Sequence, residues 1–233
     1  MPEQDDVVMP LTSHLAELRR RLIICCISIA AGFLISYAFS EDIFRFLARP
    51  IILALPPGTT SLVFIGVLEP FLTYLKVSML AGIILASPVL IYHIWAFIAP
   101  GLYKEEQKWF WPIVAFSTIF FLFGIFFAYM AVFPLGFKYL LSFANEELQP
   151  TLSIAMYFSI ATKLIVAFGI VFELPLFMFF LARFGIVDAR RFSHYRRYAI
   201  VLAVIIAAVL TPPDIFSQLM MAGPIILLYE IGV

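Results

Sequence analysis

Six long apolar segments recur along the chain, and they restrict its fold more than any other feature. A helix of about 20 apolar residues spans the hydrocarbon core of a bilayer, which is about 30 Å thick. Of the 233 residues, 64% are hydrophobic and 13% charged, whereas soluble domains hold about 45–50% and about 25%. We therefore predict an integral membrane protein, with one membrane domain over residues 1–233. The predicted spans are residues 22–39, 71–97, 109–135, 157–183, 198–210 and 215–232.

Basic residues are distributed unevenly between the two sides of these spans. Cytoplasmic loops of membrane proteins carry an excess of lysine and arginine. One side carries only Arg45, Arg49 and Lys138. The other side carries Arg19, Arg20, Arg21, Lys104, Lys108, Arg183, Arg190, Arg191, Arg196 and Arg197. This asymmetry predicts a cytoplasmic N-terminus and, after six spans, a cytoplasmic C-terminus.

The first, fifth and sixth predicted spans are shorter than the other three. Residues 22–39 form an apolar run longer than the core of a secretory signal, which is about 7–15 residues, so we predict a retained helix. Spans 5 and 6 are short: residues 198–210 rise only about 20 Å as a helix. Such a hairpin thins the bilayer or leans on partner helices. The chain ends at LLYEIGV without a charged tail, from which we expect a truncated C-terminus.

Residue patterns for catalysis, metals or nucleic acids are missing from the sequence. The 15 basic and 15 acidic residues give a net charge of zero, which argues against nucleic acid as a partner. The three histidines lie far apart, without the spacing of a metal site. No G-x-S-x-G, Walker or G-x-G-x-x-G motif occurs. We predict that the chain is not an enzyme and needs no metal or cofactor.

Glu173 lies in the middle of the fourth span, two residues before Pro175. A charge at this depth is costly, and intramembrane carboxylates are usually functional. Lys163 lies on another face of the helix and about 15 Å away, so the carboxyl has three options. It faces a water-bearing groove, is protonated, or meets a polar group from another helix. A buried neutral carboxyl that only ties helices together is the structural alternative, and a proton-coupled secondary transporter is the functional one.

A second group of carboxylates lies on the predicted cytoplasmic rim. In PLTSHLAELRRRL, Glu17 lies within i,i+4 reach of Arg21, which by itself describes a solvated helix pair. In WAFIAPGLYKEEQKWFWP, charged residues fill a short loop between aromatic residues typical of membrane interfaces. Both segments lie on the same rim, so a shared binding site there is the alternative to two solvated surfaces.

Four segments resemble the TatC family, the multi-spanning receptor subunits of the twin-arginine protein translocase. They are LTSHLAELRRRLI, ASPVLIYHIWAFIAPGLYKEE, AFGIVFELP and LTPPDIFSQ, in the family's order and spread over nearly the whole chain. The resemblance implies an all-α, cupped bundle of six transmembrane helices in the bacterial plasma (inner) membrane. It also implies a groove for the signal peptide of a folded cargo protein, TatA and TatB as single-span partners, self-association in a larger complex, and transport driven by the proton-motive force.

The resemblance also implies roles for individual residues on the rim. Glu17 and Glu106 match the acidic residues that read the twin-arginine motif. Arg19 and Phe97 match positions close to that site. The doubled acid of this chain leaves open whether Glu105 shares the role of Glu106.

Further positions match the family inside the membrane and at its outer side. Glu173 matches the intramembrane glutamate of the family. Thr211, Asp214 and Gln218 match the outer turn between spans 5 and 6, near which partner helices dock. In this interpretation, the carboxyl of Glu173 and the helix kink at Pro175 together form a polar defect halfway across the bilayer.

Overall fold

The structure is a computed structural model that describes residues 11–55, 62–98, 109–143, 153–185, 187–211 and 214–233. In these ranges the chain is helical apart from short connections, in one of which Val63 forms an isolated β-bridge with Ser153. Its elements are α1 (Leu11–Ala38), α2 (Ser40–Ala54), α3 (Glu69–Ile98), α4 (Phe110–Phe127), a π-helical segment (Ala128–Val132), α5 (Phe133–Leu141), α6 (Ile154–Val171), α7 (Leu174–Arg183), α8 (Ala189–His194), α9 (Arg196–Leu210) and α10 (Ile215–Gly232).

Five helical segments are long and apolar enough to cross a membrane. They are His14–Ala38, Glu69–Ile98, Phe110–Leu141, Ile154–Arg183 and Ile215–Gly232. The prediction of an all-helical membrane protein is thereby confirmed. The predicted fifth span is α9, whose 15 residues rise only about 22 Å. The count of six spans is consistent with this arrangement and stays a prediction, as does the side on which the termini lie.

Two helices extend beyond the predicted limits of their spans. Helix α1 begins at Leu11, well before the apolar run, because polar residues at its start continue the helix outside the apolar region. The third span continues through the π-helical segment into α5 and ends at Leu141. Phe133 N–H donates to the carbonyl of Ala128, five residues earlier, so the helical turn is widened there. This wide turn comes directly before Pro134, which has no backbone N–H.

A proline inside α2 fixes this helix against the core. Pro50 cannot donate to the carbonyl of Phe46, and its ring disturbs the neighbouring turn. Tyr129 Oη donates to the Phe46 carbonyl at 2.7 Å, and Tyr157 Oη donates to the Leu47 carbonyl at 2.5 Å. Two side chains from other helices therefore satisfy the carbonyls around the proline, and in doing so they hold α2 in place.

The centre of the bundle is α6. Half of the apolar window of the α6–α7 segment is buried, against 11% for the first spanning segment. Phe158 and Phe168 are almost fully buried, and they pack among residues of α2, α3, α4 and α9. Helix α1 instead lies at the edge and packs almost entirely against α3. The rim and intramembrane sites described below both face α3, which connects the edge to the centre.

One carboxylate joins the N-terminal ends of α3 and α6. Glu69 Oε2 accepts from the backbone N–H groups of Ile65 at 2.6 Å and Gly66 at 3.1 Å. Its Oε1 accepts from Ser153 Oγ at 2.5 Å and Ala155 N at 2.7 Å. An anion at two helix N-termini is stabilised by their unpaired N–H groups and dipoles. Glu69 thus sets the height of α3 relative to α6.

Two glycines let α1 and α3 cross in close contact. A Cβ added at Gly32 would lie 2.6 Å from the carbonyl oxygen of Gly82, and one added at Gly82 would lie 2.6 Å from Phe33 N. Both obstacles are backbone atoms, so neither can move aside alone. Small residues permit this kind of close helix crossing in membranes.

We expect Gly82→Ala to destabilise the protein by about 1–3 kcal/mol, because the added methyl group forces α1 away from α3. The measurement is the thermal unfolding midpoint in detergent. Gly223→Ala in α10 is the matched control, since nothing lies within 4 Å of a Cβ added at Gly223. Equal midpoints for wild type and Gly82→Ala would contradict the close crossing.

Candidate functional site

The rim site forms where the first turns of α1 meet the last turns of α3. The two helices run antiparallel, and His14, Glu17 and Arg21 share the face of α1 that is turned toward α3. Arg21 donates to Glu17 Oε1 from Nε at 3.0 Å and from Nη2 at 2.5 Å. The Glu17 side chain is 26% exposed and the Arg21 side chain 21%. A partly buried carboxylate therefore already holds one guanidinium group.

Aromatic side chains complete this corner of the molecule. The rings of His14 and Phe97 stack with their centroids 4.3 Å apart, which joins α1 to α3. Arg21 Nη1 lies 3.5 Å from His93 Nδ1. A contact of this length is weak, and it requires the neutral imidazole with Nδ1 as acceptor. The corner thus combines one anion, one cation and a flat aromatic wall.

The structure brings some of the predicted rim residues together. Glu17 and Phe97 lie in the same corner. Arg19 is turned about 200° around α1 from Glu17 and lies exposed beside Leu15 and Leu22. Glu106 and the neighbouring Glu105 lie outside the described residues, so a site that combines two acids stays a prediction.

The intramembrane site lies where α6 ends and α7 begins. Glu173 occupies the break between these helices, and Pro175 stands in the first turn of α7, where its missing N–H costs nothing. Ser117 of α4 donates to Glu173 Oε2. Trp95 of α3 donates its Nε1–H to Ser117 Oγ at 3.1 Å. Of the alternatives left open by the sequence, the structure shows the carboxyl meeting a polar group from another helix.

Counting hydrogens fixes the roles in this chain of three residues. Indole N–H can only donate, so Ser117 Oγ accepts from Trp95 and uses its single hydrogen for Glu173. Glu173 Oε2 is therefore an acceptor. Its Oε1 is buried without a hydrogen-bond partner in the described part of the chain. A buried oxygen of this kind is costly, and native structures hold only a few such groups.

A cleft of about 310 Å³ lies beside this carboxyl. Ser117, Trp95 and Glu173 supply its polar atoms, and the rest of its wall is apolar. The apolar residues are Ile91, Ile94, Ile98, Ile170, Leu174 and Phe177. The cleft thus offers a hydrogen-bond acceptor inside an apolar wall, which suits a helical or apolar segment that carries one donor.

The three predicted residues of the outer turn lie together at one end of α9 and α10. Thr211 Oγ1 donates to the carbonyl one turn earlier at 2.8 Å. Asp214 Oδ2 accepts from Ser217 N at 2.7 Å as the N-cap of α10, and Gln218 Nε2 donates to the Val204 carbonyl at 3.2 Å. Asp214 Oδ1 and Ser217 Oγ are buried without a partner among the described residues. The hairpin therefore keeps spare polar atoms at its tip.

Ser117, Trp95 and His93 were not predicted as site residues from the sequence. Ser117 stands next to Thr118 in an apolar helix, where hydroxyl groups usually bond to the preceding turn, as Thr118 does. Ser117 differs from Thr118 only in lying on the face of α4 toward α6. The sequence does not indicate this face, because α4 is apolar on all sides. In the part of the chain described, no group of three His, Cys, Asp or Glu side chains could hold a metal ion.

Comparisons with known proteins agree with the resemblance. The sequence profile of the family described as "Sec-independent protein translocase protein (TatC)" matches residues 13–224. A protein of that name from Desulforapulum autotrophicum is 45% identical over 224 residues, or 96% of this chain and 83% of the relative. Another, from Escherichia coli K12, is 41% identical and covers 96% and 86%.

A solved structure is also similar over nearly the whole chain. It is described as "Crystal Structure of Twin Arginine Translocase Receptor- TatC" and superposes with a TM-score of 0.85 at 40% identity. The match covers 94% of this chain and 96% of that structure. The relatives are named as components of a protein translocase, which is a transport function. The predictions of the family and of a non-enzymatic protein are thereby confirmed.

We expect Ser117→Ala to destabilise the protein by about 1–3 kcal/mol, because it leaves the Trp95 N–H and both Glu173 oxygens without partners. The thermal unfolding midpoint in detergent measures this effect. Thr118→Ala is the matched control, since it removes a neighbouring hydroxyl that bonds only within α4. A loss no larger for Ser117→Ala than for Thr118→Ala would show that the bond to Glu173 contributes nothing.

Proposed function

This chain belongs to the TatC family of Sec-independent protein translocases, and we propose that it is the receptor and core subunit of a twin-arginine translocase. It binds the twin-arginine signal peptides of folded cargo proteins at the cytoplasmic rim. It lies in the bacterial plasma membrane as a multi-pass protein and associates with further copies of itself. No metal, cofactor or nucleic acid takes part in this function.

The observation that carries this proposal is the guanidinium group already bound at Glu17. Arg21 meets one carboxylate oxygen through two nitrogens, at 3.0 and 2.5 Å. A guanidinium is a planar fork of five donors, whereas an ammonium is a point charge with three donors. A site built for the fork prefers arginine over lysine. Glu106 supplies the acceptor for the second arginine, and Phe97 borders the site, whereas Arg19 lies on the other side of α1.

Glu173 and the outer hairpin serve the later steps of transport. The apolar cleft beside Glu173 receives the hydrophobic part of the signal, and its carboxyl keeps a polar spot halfway across the bilayer. Thr211, Asp214 and Gln218 form the docking position for the single-span partners TatA and TatB. The proton-motive force drives transport through the assembled complex. The short α9–α10 hairpin supports this assignment, since a short span leans on partner helices.

We expect the purified protein to bind a labelled Arg-Arg signal peptide at least about tenfold more tightly than its Lys-Lys variant. Glu17→Gln and Glu106→Gln should each weaken the Arg-Arg complex, and together they should abolish the preference. Fluorescence anisotropy in detergent measures these affinities. Glu41→Gln is the control, because that side chain is 71% exposed on α2, away from the rim. Equal binding of both peptides would contradict the proposed function.

We expect Glu173→Gln to spare signal-peptide binding, because the variant keeps Ser117 bonded and leaves the Glu17–Arg21 pair untouched, but to impair partner assembly or transport. Binding is measured as above, and transport by protease protection of a folded cargo in vesicles. Glu173→Ala should reduce transport further, since it also removes the polar spot. Normal transport by both variants would contradict a role for Glu173.

A further inference from the structure

We propose that Arg21 is a built-in competitor of the signal peptide: its guanidinium occupies Glu17 and must leave before an arginine of the signal can bind there. Arg21 thereby sets the affinity threshold of the receptor, so that weakly bound cations fail to hold the site. This inference rests on the proposed function, because it takes the Glu17 carboxylate as the acceptor for the signal's arginine.

The geometry leaves little room for both guanidinium groups. Two nitrogens of Arg21 converge on the same oxygen, Glu17 Oε1. The two side chains are only 21% and 26% exposed, so most of their surface is already covered. An incoming arginine that binds Glu17 bidentately needs both oxygens of the carboxylate, so it displaces Nε and Nη2 of Arg21 from Oε1. The ligand therefore exchanges one ion pair for another.

His93 gives the displaced side chain a second contact. Its Nδ1 lies 3.5 Å from Arg21 Nη1, which is the nitrogen that does not bind Glu17. Arg21 can swing about this contact without losing every partner, because a neutral imidazole nitrogen accepts a hydrogen bond. The stack of His14 on Phe97 holds the two helices together meanwhile. The exchange therefore needs only a side-chain movement.

Simple competition has a quantitative signature. When only a fraction of the receptor presents a free site, every ligand binds more weakly by that same fraction. An i,i+4 ion pair on a helix is weak, so the free fraction is substantial. We expect removal of Arg21 to tighten peptide binding about threefold. The Arg-Arg and Lys-Lys peptides should gain by the same factor, so their ratio stays unchanged.

The test measures both peptides against wild type, Arg21→Gln and Arg20→Gln. Arg20→Gln removes the same charge from the neighbouring position, which is exposed on α1, and so measures the effect of net charge alone. The proposal expects a gain of about threefold for Arg21→Gln beyond that of Arg20→Gln. An equal gain for the two variants would mean bulk charge, and weaker binding by Arg21→Gln would make Arg21 part of the recognition site; either overturns the proposal.

A second variant covers the case in which Arg21→Gln does not fold. Arg21→Lys keeps the charge but loses the fork, so it should hold Glu17 less firmly and give a smaller gain in the same direction. No gain for Arg21→Lys would then overturn the proposal. Failure of the proposed function is distinguishable, because in that case wild type itself shows no preference for Arg-Arg and no dependence on Glu17.

Discussion

The structure depends on satisfying backbone hydrogen bonds where prolines interrupt helices inside a membrane. Lipid offers no donors, so a freed carbonyl must find one within the protein. At Pro50 the donors are Tyr129 and Tyr157, and they come from the helices that α2 must contact. At Pro88 the donor is local, since Ser87 Oγ bonds to the freed carbonyl of Ile84 at 2.7 Å. The repair at Pro50 therefore also holds α2 against its neighbours, whereas the repair at Pro88 stays within α3.

Pro175 is handled differently, and the difference creates the intramembrane site. The chain ends α6 at Val171 and begins α7 at Leu174, which leaves Glu173 in the break. Ser117 and Trp95 then hold the carboxyl from two other helices. The same kink turns the carboxyl toward an apolar cleft. A helix break and a buried acid, each costly alone, together give one ordered polar position beside an otherwise apolar cleft.

The sequence predicted what depends on composition and local chemistry, and failed where the outcome depends on three-dimensional neighbours. The apolar runs predicted the helices. Helix α10 matches its predicted span because Asp214 caps it and so fixes where the helix begins. The α1–α3 crossing at Gly32 and Gly82 and the bond from Ser117 to Glu173 escaped prediction. Both require knowing which faces meet, and helices that are apolar on all sides do not encode this in their own pattern.

On this account, the α1–α3 corner reads charge and the α3–α7 cleft receives apolar chain, so the shared helix α3 connects recognition to the membrane interior. The most direct test replaces Phe97 with the photoreactive p-benzoylphenylalanine and measures cross-linking to a signal peptide. We predict strong cross-linking to an Arg-Arg peptide, little to its Lys-Lys variant, and little from the same residue placed at Phe126, which is exposed on α4. Cross-linking from Phe97 that is equally strong with both peptides would contradict the account.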